Sequence, residues 1–359
     1  MATFDMVFEG GGAKGTAFVG AMQVLNAAGH GHRRLIGTSA GAITATLLGA
    51  GYSAEELLAA VSETLPGTDV PVFTTFMDPP QTSDFDQSVI DGSVTMDLLN
   101  QAHLPGLVRN PVIRELLAID LYRELFSFTE CGGFYSGSVF LAWFRKKLQG
   151  KNLDPNITWK NFSLATRSDV SVVTSDVDDQ EMVVLNARTA PDISVAMSVR
   201  MSMSIPFVWR EIVWSADWGT YRGREKAGHK FVDGGVLSNF PIRLIAESDA
   251  EIAGIMGKVD PTGAGSLGFM LDENTRVPGI GPSNTRRPRL RTADRVTRLV
   301  DTMMGTSDAD AMRKHPDAIC RIPVGGIGTT EFRMSKERMS ALIESGRAAM
   351  RGYLNEHFN

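Results

Sequence analysis

The sequence predicts an α/β protein: a mostly parallel central sheet covered by helices, with a cap-like insertion. Three observations carry this. The first 65 residues alternate strand, helix, strand, helix, which implies parallel strands with right-handed crossovers. Two glycine-bearing stretches, FEGGGAKG and GTSAG, each fall between an apolar strand-like run and a helix-like run. Regular α/β patterning breaks off near residue 66 and returns near residue 136.

The elements follow in order. Thr3–Phe8 is a short run of strand formers ending at Glu9. Ala17, Val19, Ala21, Met22, Leu25 and Ala28 recur at helical spacing, and Gly29 closes that helix. Arg33–Gly37 reads as the second strand, and Ala40–Leu48 as an apolar helix ended by Gly49 and Gly51. Ser53 with Glu55 and Glu56 starts another helix, with acids in its first turn. Residues 66–135 are rich in Pro and Asp and read as an insertion or lid with a helix over Val112–Leu125. Gly137–Leu148 is a helix; Phe162–Thr166, Val170–Thr174 and Met182–Leu185 are strands. Pro191–Met203 is a helix, Phe207–Trp214 and Lys230–Val232 are strands, and Glu251–Met256 is another strand. Residues 258–290 read as a long loop. A helix (Thr292–Met304), a strand (Ala318–Pro323) and a final helix (Ser335–Leu354) complete the chain. The outer elements extend one α/β core, so residues 1–359 are expected to form one domain, with 258–359 as a C-terminal extension.

Composition bounds the function. The chain has 359 residues, 43% of them hydrophobic, and a net charge of −5, which speaks against a general nucleic-acid binder. Two cysteines, Cys131 and Cys320, form neither a disulfide framework nor a zinc spacing. The N-terminus lacks the pattern of a signal peptide, and no run of about 18 apolar residues occurs. The expectation is a cytoplasmic protein whose membrane contact is peripheral.

Gly10-Gly11-Gly12-Ala-Lys14-Gly15 fits the dinucleotide pattern GxGxxG, but that pattern needs an acid about 20 residues later. No Asp or Glu occurs between Glu9 and Glu55. A P-loop fails as well, because Lys14 is followed by Gly15. Gly37-Thr38-Ser39-Ala40-Gly41 is GxSxG between a strand and a helix, the setting of a nucleophile elbow. A serine nucleophile needs a base, and none of the six histidines (30, 32, 103, 229, 315, 357) has a supporting context. Asp233 is the better candidate. It begins Asp233-Gly234-Gly235 at the end of an apolar strand, and His229 would lie some 13 Å from it along that strand.

These motifs, with GGFYSG, SVRMSMSIPF and DGGVLSNFPI between and after them, resemble the patatin-like phospholipase family from about residue 5 to 245. The resemblance implies a three-layer α/β/α fold and a Ser39–Asp233 dyad without histidine. It implies an oxyanion hole from the N–H groups of Gly10, Gly11 and Gly12, with Lys14 nearby. It further implies acyl transfer from phospholipids or lysophospholipids through an acyl-serine, with no cofactor or metal. An esterase or thioesterase on the same dyad, or a non-enzymatic effector retaining the fold, are the alternatives; an activating partner and the oligomeric state are open. Phe73, Phe76, Met77 and Phe85 are candidates to meet a bilayer, or else to pack the insertion on the core. Arg276, Arg286, Arg287, Arg289, Arg291, Arg295 and Arg298 form a basic stretch that could contact anionic lipid or be a solvated face. Met197, Met201 and Met203 read as core packing rather than an acyl channel.

Overall fold

The N-terminal run forms β1 (Thr3–Phe8). Its side chains alternate: Phe4, Met6 and Phe8 join a large core on one face of the sheet, and Val7 a smaller core on the other. Both faces are therefore covered by helices, giving the three-layer arrangement. The computed structural model describes residues 1–103, 105–258, 264–281, 302 and 308–358.

α1 (Ala17–Ala27) crosses to β2 (Gly31–Thr38), which pairs parallel to β1. α2 (Ala40–Gly49) follows directly, then α3 (Ala54–Val61). A capping box starts α3: Ser53 accepts the Glu56 N–H and Glu56 accepts the Ser53 N–H.

The insertion is more ordered than a loop. It carries α4 (Gln87–Asp91), α5 (Val94–Gln101), α6 (Gly106–Ala118) and α7 (Asp120–Cys131). The single helix expected over Val112–Leu125 is two, broken where Ile119 adopts an extended conformation. Phe85, Ile90, Met96, Ile113, Leu117 and Phe126 give this cap its own small core. Phe76 and Phe85 are buried and Phe73 and Met77 are half-buried against the main core, so packing wins over exposure for that group.

After β3 (Gly133–Tyr135) come α8 (Ser138–Gln149) and α9 (Trp159–Thr166). α9 corrects the expected strand at Phe162–Thr166: Trp159 and Phe162, three apart, bury one helical face. β4 (Asp169–Asp176) and β5 (Glu181–Leu185) form an antiparallel hairpin, and α10 (Val195–Ser202) starts at the Ser194 cap. The strand expected over Phe207–Trp214 is two. β6 (Phe207–Trp209) pairs with β3 in a separate small sheet, and β7 (Ile212–Val213) pairs with β8 (Lys230–Asp233).

α11 (Arg243–Ala246) and α12 (Ala250–Met256) pack on the smaller core. α12 overturns the strand expected at Glu251–Met256. Asp249 caps it through the Ile252 N–H at 2.8 Å, and Ile252, Ile255 and Met256 bury at helical spacing. The largest correction is β9 (Gly265–Arg276), inside the stretch read as a loop. Leu267, Phe269, Met270 and Leu271 are buried, because β9 lies between β1 and β10 (Ile319–Gly325) in the parallel sheet. A strand buried on both faces shows no alternation for pattern reading to find. A helix Ala309–Lys314 precedes β10, and the C-terminal helix Lys336–Phe358 packs on α1. The helix expected over Thr292–Met304, apart from Thr302, and six of the seven arginines lie outside the described residues; Arg276 ends β9.

The sheet order is β10-β9-β1-β2-β4-β8-β7, with β5 on the other edge of β4. The strands from β10 to β4 are parallel, and β8 runs antiparallel to β4. β2 occupies one edge of β4 up to the pair Thr38–Val173, and β8 occupies the same edge from the pair Asp233–Thr174. Two strands running in opposite directions thus meet head-on, carboxyl end to carboxyl end.

Candidate active site

That junction places Ser39 and Asp233 together, since each lies at the end of its strand. Ser39 sits between β2 and α2 with φ 52° and ψ −119°. This is a costly conformation for a residue with a side chain, and strain of this kind amounts to about 1–3 kcal/mol. The surroundings enforce it. A Cβ at Gly37 would come within 2.1 Å of the Gly41 carbonyl oxygen, and one at Gly41 within 2.1 Å of the Phe8 carbonyl oxygen. Only glycines let the turn close. Ser202 Oγ accepts the Ser39 N–H at 2.9 Å and donates to the Val173 carbonyl, and Thr38 Oγ1 donates to the Ser238 carbonyl.

Asp233 is fully buried. Its own N–H donates to the Ser204 carbonyl at 2.8 Å, and its Oδ1 accepts the Gly235 N–H at 2.8 Å. Burial raises the carboxyl pKa to about 7, against the lowering pull of the Ser39 hydroxyl and the Gly235 N–H. Oδ2 has no well-aligned partner among the described residues. The Ser39 hydroxyl nevertheless lies close enough to the carboxylate to lower its pKa. Gly234 is packed tightly: a Cβ there would meet the Val173 carbonyl oxygen at 2.4 Å.

The glycine loop lies beside Ser39. A Cβ at Gly10 would approach Ser39 Cβ to 3.3 Å, and one at Gly15 would approach Ala40 Cβ to 2.6 Å. The expected oxyanion group divides here. Gly10 donates its N–H to the Asn239 carbonyl at 3.0 Å, so it is already committed. The N–H groups of Gly11 and Gly12 have no acceptor among the described residues. Lys14, expected near the oxyanion glycines, has its ammonium engaged by other groups. Its side chain is buried, pairs with Glu273 and donates to Thr329 Oγ1 at 3.0 Å.

Ser39, Ala40, Gly12 and Gly15 open onto a cavity of about 100 Å³. Its wall is almost wholly apolar, built from α1, α2, α3 and α8 with Phe73, Met203, Ile205, Trp209 and Phe332. Met203 thus lines the cavity, while Met201 is core and Met197 is half-buried. No histidine lines it. His229 bonds Asp176 at 2.9 Å, His315 lies near Glu247, and His357 packs at a tilt against Tyr353. Asp176, Asp179 and His229 converge as a metal site would. The Lys226 ammonium already lies 2.7 Å from Asp176 Oδ2 and also pairs with Asp179 and Glu181, so a cation of the chain's own already occupies these carboxylates.

With this geometry in place, the comparison with known families decides the assignment. A family model described as patatin-like phospholipase matches residues 6–246, more than half of the chain. This chain belongs to the patatin-like phospholipase family. YqhO of Bacillus subtilis (strain 168), an uncharacterized protein, is 28% identical over 364 residues, covering 98% of each chain. Among solved structures, VipD from Legionella pneumophila aligns with a TM-score of 0.46 and 15% identity, over 99% of this chain and 67% of VipD. ExoU, in its complex with SpcU from the type III secretion system of Pseudomonas aeruginosa, aligns with a TM-score of 0.41 and 16% identity. That alignment spans 99% of this chain and 52% of the other.

Sequence reading missed several supports of this patatin-like phospholipase site. Ser202 and Ser204 fall within SVRMSMSIPF, where they alternate with Met201 and Met203, and Asn239 falls within DGGVLSNFPI. Thr329, Glu273 and Phe332 lie beyond residue 246, in segments with no motif. Among the described residues no helix is long and apolar enough to cross a membrane.

Proposed function

We propose that the protein hydrolyses fatty-acyl esters of phospholipids or lysophospholipids through an acyl-Ser39 intermediate. The observation that carries this reading is the strained Ser39, set between a buried carboxylate of raised pKa and the mouth of a narrow apolar cavity. Asp233 takes the Ser39 proton as Oγ attacks the ester carbonyl, then delivers it to the leaving alcohol. Water activated by the same carboxylate releases the fatty acid. The N–H groups of Gly11 and Gly12 and the N-terminal end of α2 receive the oxyanion. The apolar cavity accepts the acyl chain, and bilayer substrate implies peripheral contact with a membrane surface.

The test is mass spectrometry of phospholipid and lysophospholipid vesicles treated with wild type and Ser39→Ala. Fatty acid released by wild type and not by the variant is the expected result. Equal release by both refutes the dyad. Equal kcat/KM on vesicles and on short soluble esters points instead to a general esterase.

A further inference from the structure

The segment after residue 246 reaches back into the site. Between β10 and the C-terminal helix, the loop over residues 326–334 touches both functional halves. The Thr329 carbonyl accepts the Ala13 N–H at 3.0 Å, and its Oγ1 accepts from Lys14 Nζ at 3.0 Å. The carbonyl also lies so close to Gly12 that a Cβ there would meet its oxygen at 2.2 Å. Three residues on, Phe332 is 9% exposed, lines the apolar cavity and packs edge-on against Trp209, with ring centres 5.4 Å apart.

We propose that this loop is an active-site element: Phe332 limits the length of acyl chain the cavity accepts, and Thr329 positions the oxyanion glycines. The proposal rests on the acyl-hydrolase reading above. Its physical basis is that a run of three glycines has little stiffness of its own, and donors aimed at an oxyanion work only when held in place. Thr329 supplies the hold from outside, through the Ala13 N–H and through Lys14. The Lys14 ammonium, tied to Glu273 and Thr329, acts as a tether and not as an oxyanion donor. Among the described residues, Phe332 is the one cavity-wall residue contributed by the C-terminal segment. Trimming its ring lengthens the space without touching the dyad.

Trp143 and Trp209 line the cavity, so tryptophan fluorescence reports binding without turnover. The full chain is titrated with saturated fatty acids from octanoate to stearate. Phe332→Ala is expected to move the tightest-binding chain longer by about two methylenes, with Phe332→Leu between it and wild type. An unchanged ranking in both variants overturns the role of Phe332. For Thr329, Thr329→Val is expected to lower kcat about tenfold with KM within about twofold, and Thr329→Ser to restore it. Labelling of Ser39 by an alkyl fluorophosphonate falls in parallel. Unchanged kcat and labelling rate, or a rise in KM alone, overturns the positioning role. Loss of the functional reading shows differently: Ser39→Ala retains hydrolysis, while the fatty-acid ranking still responds to Phe332.

Discussion

At the scale of single residues, the proposed chemistry turns on the Asp233 carboxylate and the Ser39 hydroxyl. Ser39→Ala and Asp233→Asn are each expected to reduce kcat by about 10³–10⁴-fold on any ester the protein cleaves, measured at saturating substrate. Asp233 works as a base only when ionised, and burial raises its pKa to about 7. kcat/KM should therefore climb about tenfold per pH unit below that value and level off above it. A profile flat from pH 5 to 8 would exclude Asp233 as the base. Gly12 has φ +54° and faces the Thr329 carbonyl oxygen. Gly12→Ala must push that carbonyl away, so it should lower both kcat and the melting temperature, the latter by several degrees, about 1–3 kcal/mol. Ser39 and Asp233 were legible as motifs because each sits at a strand end next to its own glycines. The direction of Lys14 was not, because its partner Glu273 lies 259 residues away.

At the scale of elements, the decisive one is β9. It pairs with β1 on one side and β10 on the other, and Phe269 stacks on Phe8 with ring centres 4.6 Å apart. A chain ending at residue 246, where the family match ends, would expose the β1 edge and this aromatic cluster. Such a truncation is expected to aggregate or remain unfolded, as judged by circular dichroism and size-exclusion chromatography; a monomeric, cooperatively melting product would contradict it. The cap behaves differently, since Phe85, Ile113, Leu117 and Phe126 form a core of their own. α9 and α12 are short segments with too few periods to separate helix from strand, whereas β9 is buried on both faces and so shows no alternation. Long periodic segments such as α1, and capped ones such as α3, were read correctly within a few residues.

At the scale of the whole molecule, two carboxyls with raised pKa oppose folding at neutral pH, Asp233 fully buried and Glu9 half-buried. Burial raises Asp233 to about 7 and Glu9 to about 8, the latter despite bonds from the Leu271 N–H and the Asn239 amide. Both titrate near 4 in the unfolded chain. Between about pH 4 and 8 the native state binds more protons, so stability falls as pH rises through that window. The melting temperature should accordingly decline from pH 5 to 8. Asp233→Asn should melt higher than wild type at pH 8 and show a shallower decline, while losing activity; an unchanged pH dependence would contradict the burial argument. The site is thus maintained at a cost to stability.

The sequence by itself determined the α/β class, the two glycine-bearing turns and the candidates Ser39 and Asp233, because these depend on local backbone geometry that only certain residues permit. Tertiary structure alone decided how Ser39 and Asp233 meet. An antiparallel β8 abuts a parallel β2 on one edge of β4, a pairing over which local sequence has no control. It also decided which glycine N–H groups stay free among the described residues, where the Lys14 ammonium is held, and that Phe332 lines the cavity. Each of these depends on contacts across more than a hundred residues of chain, where register and packing choose the partner.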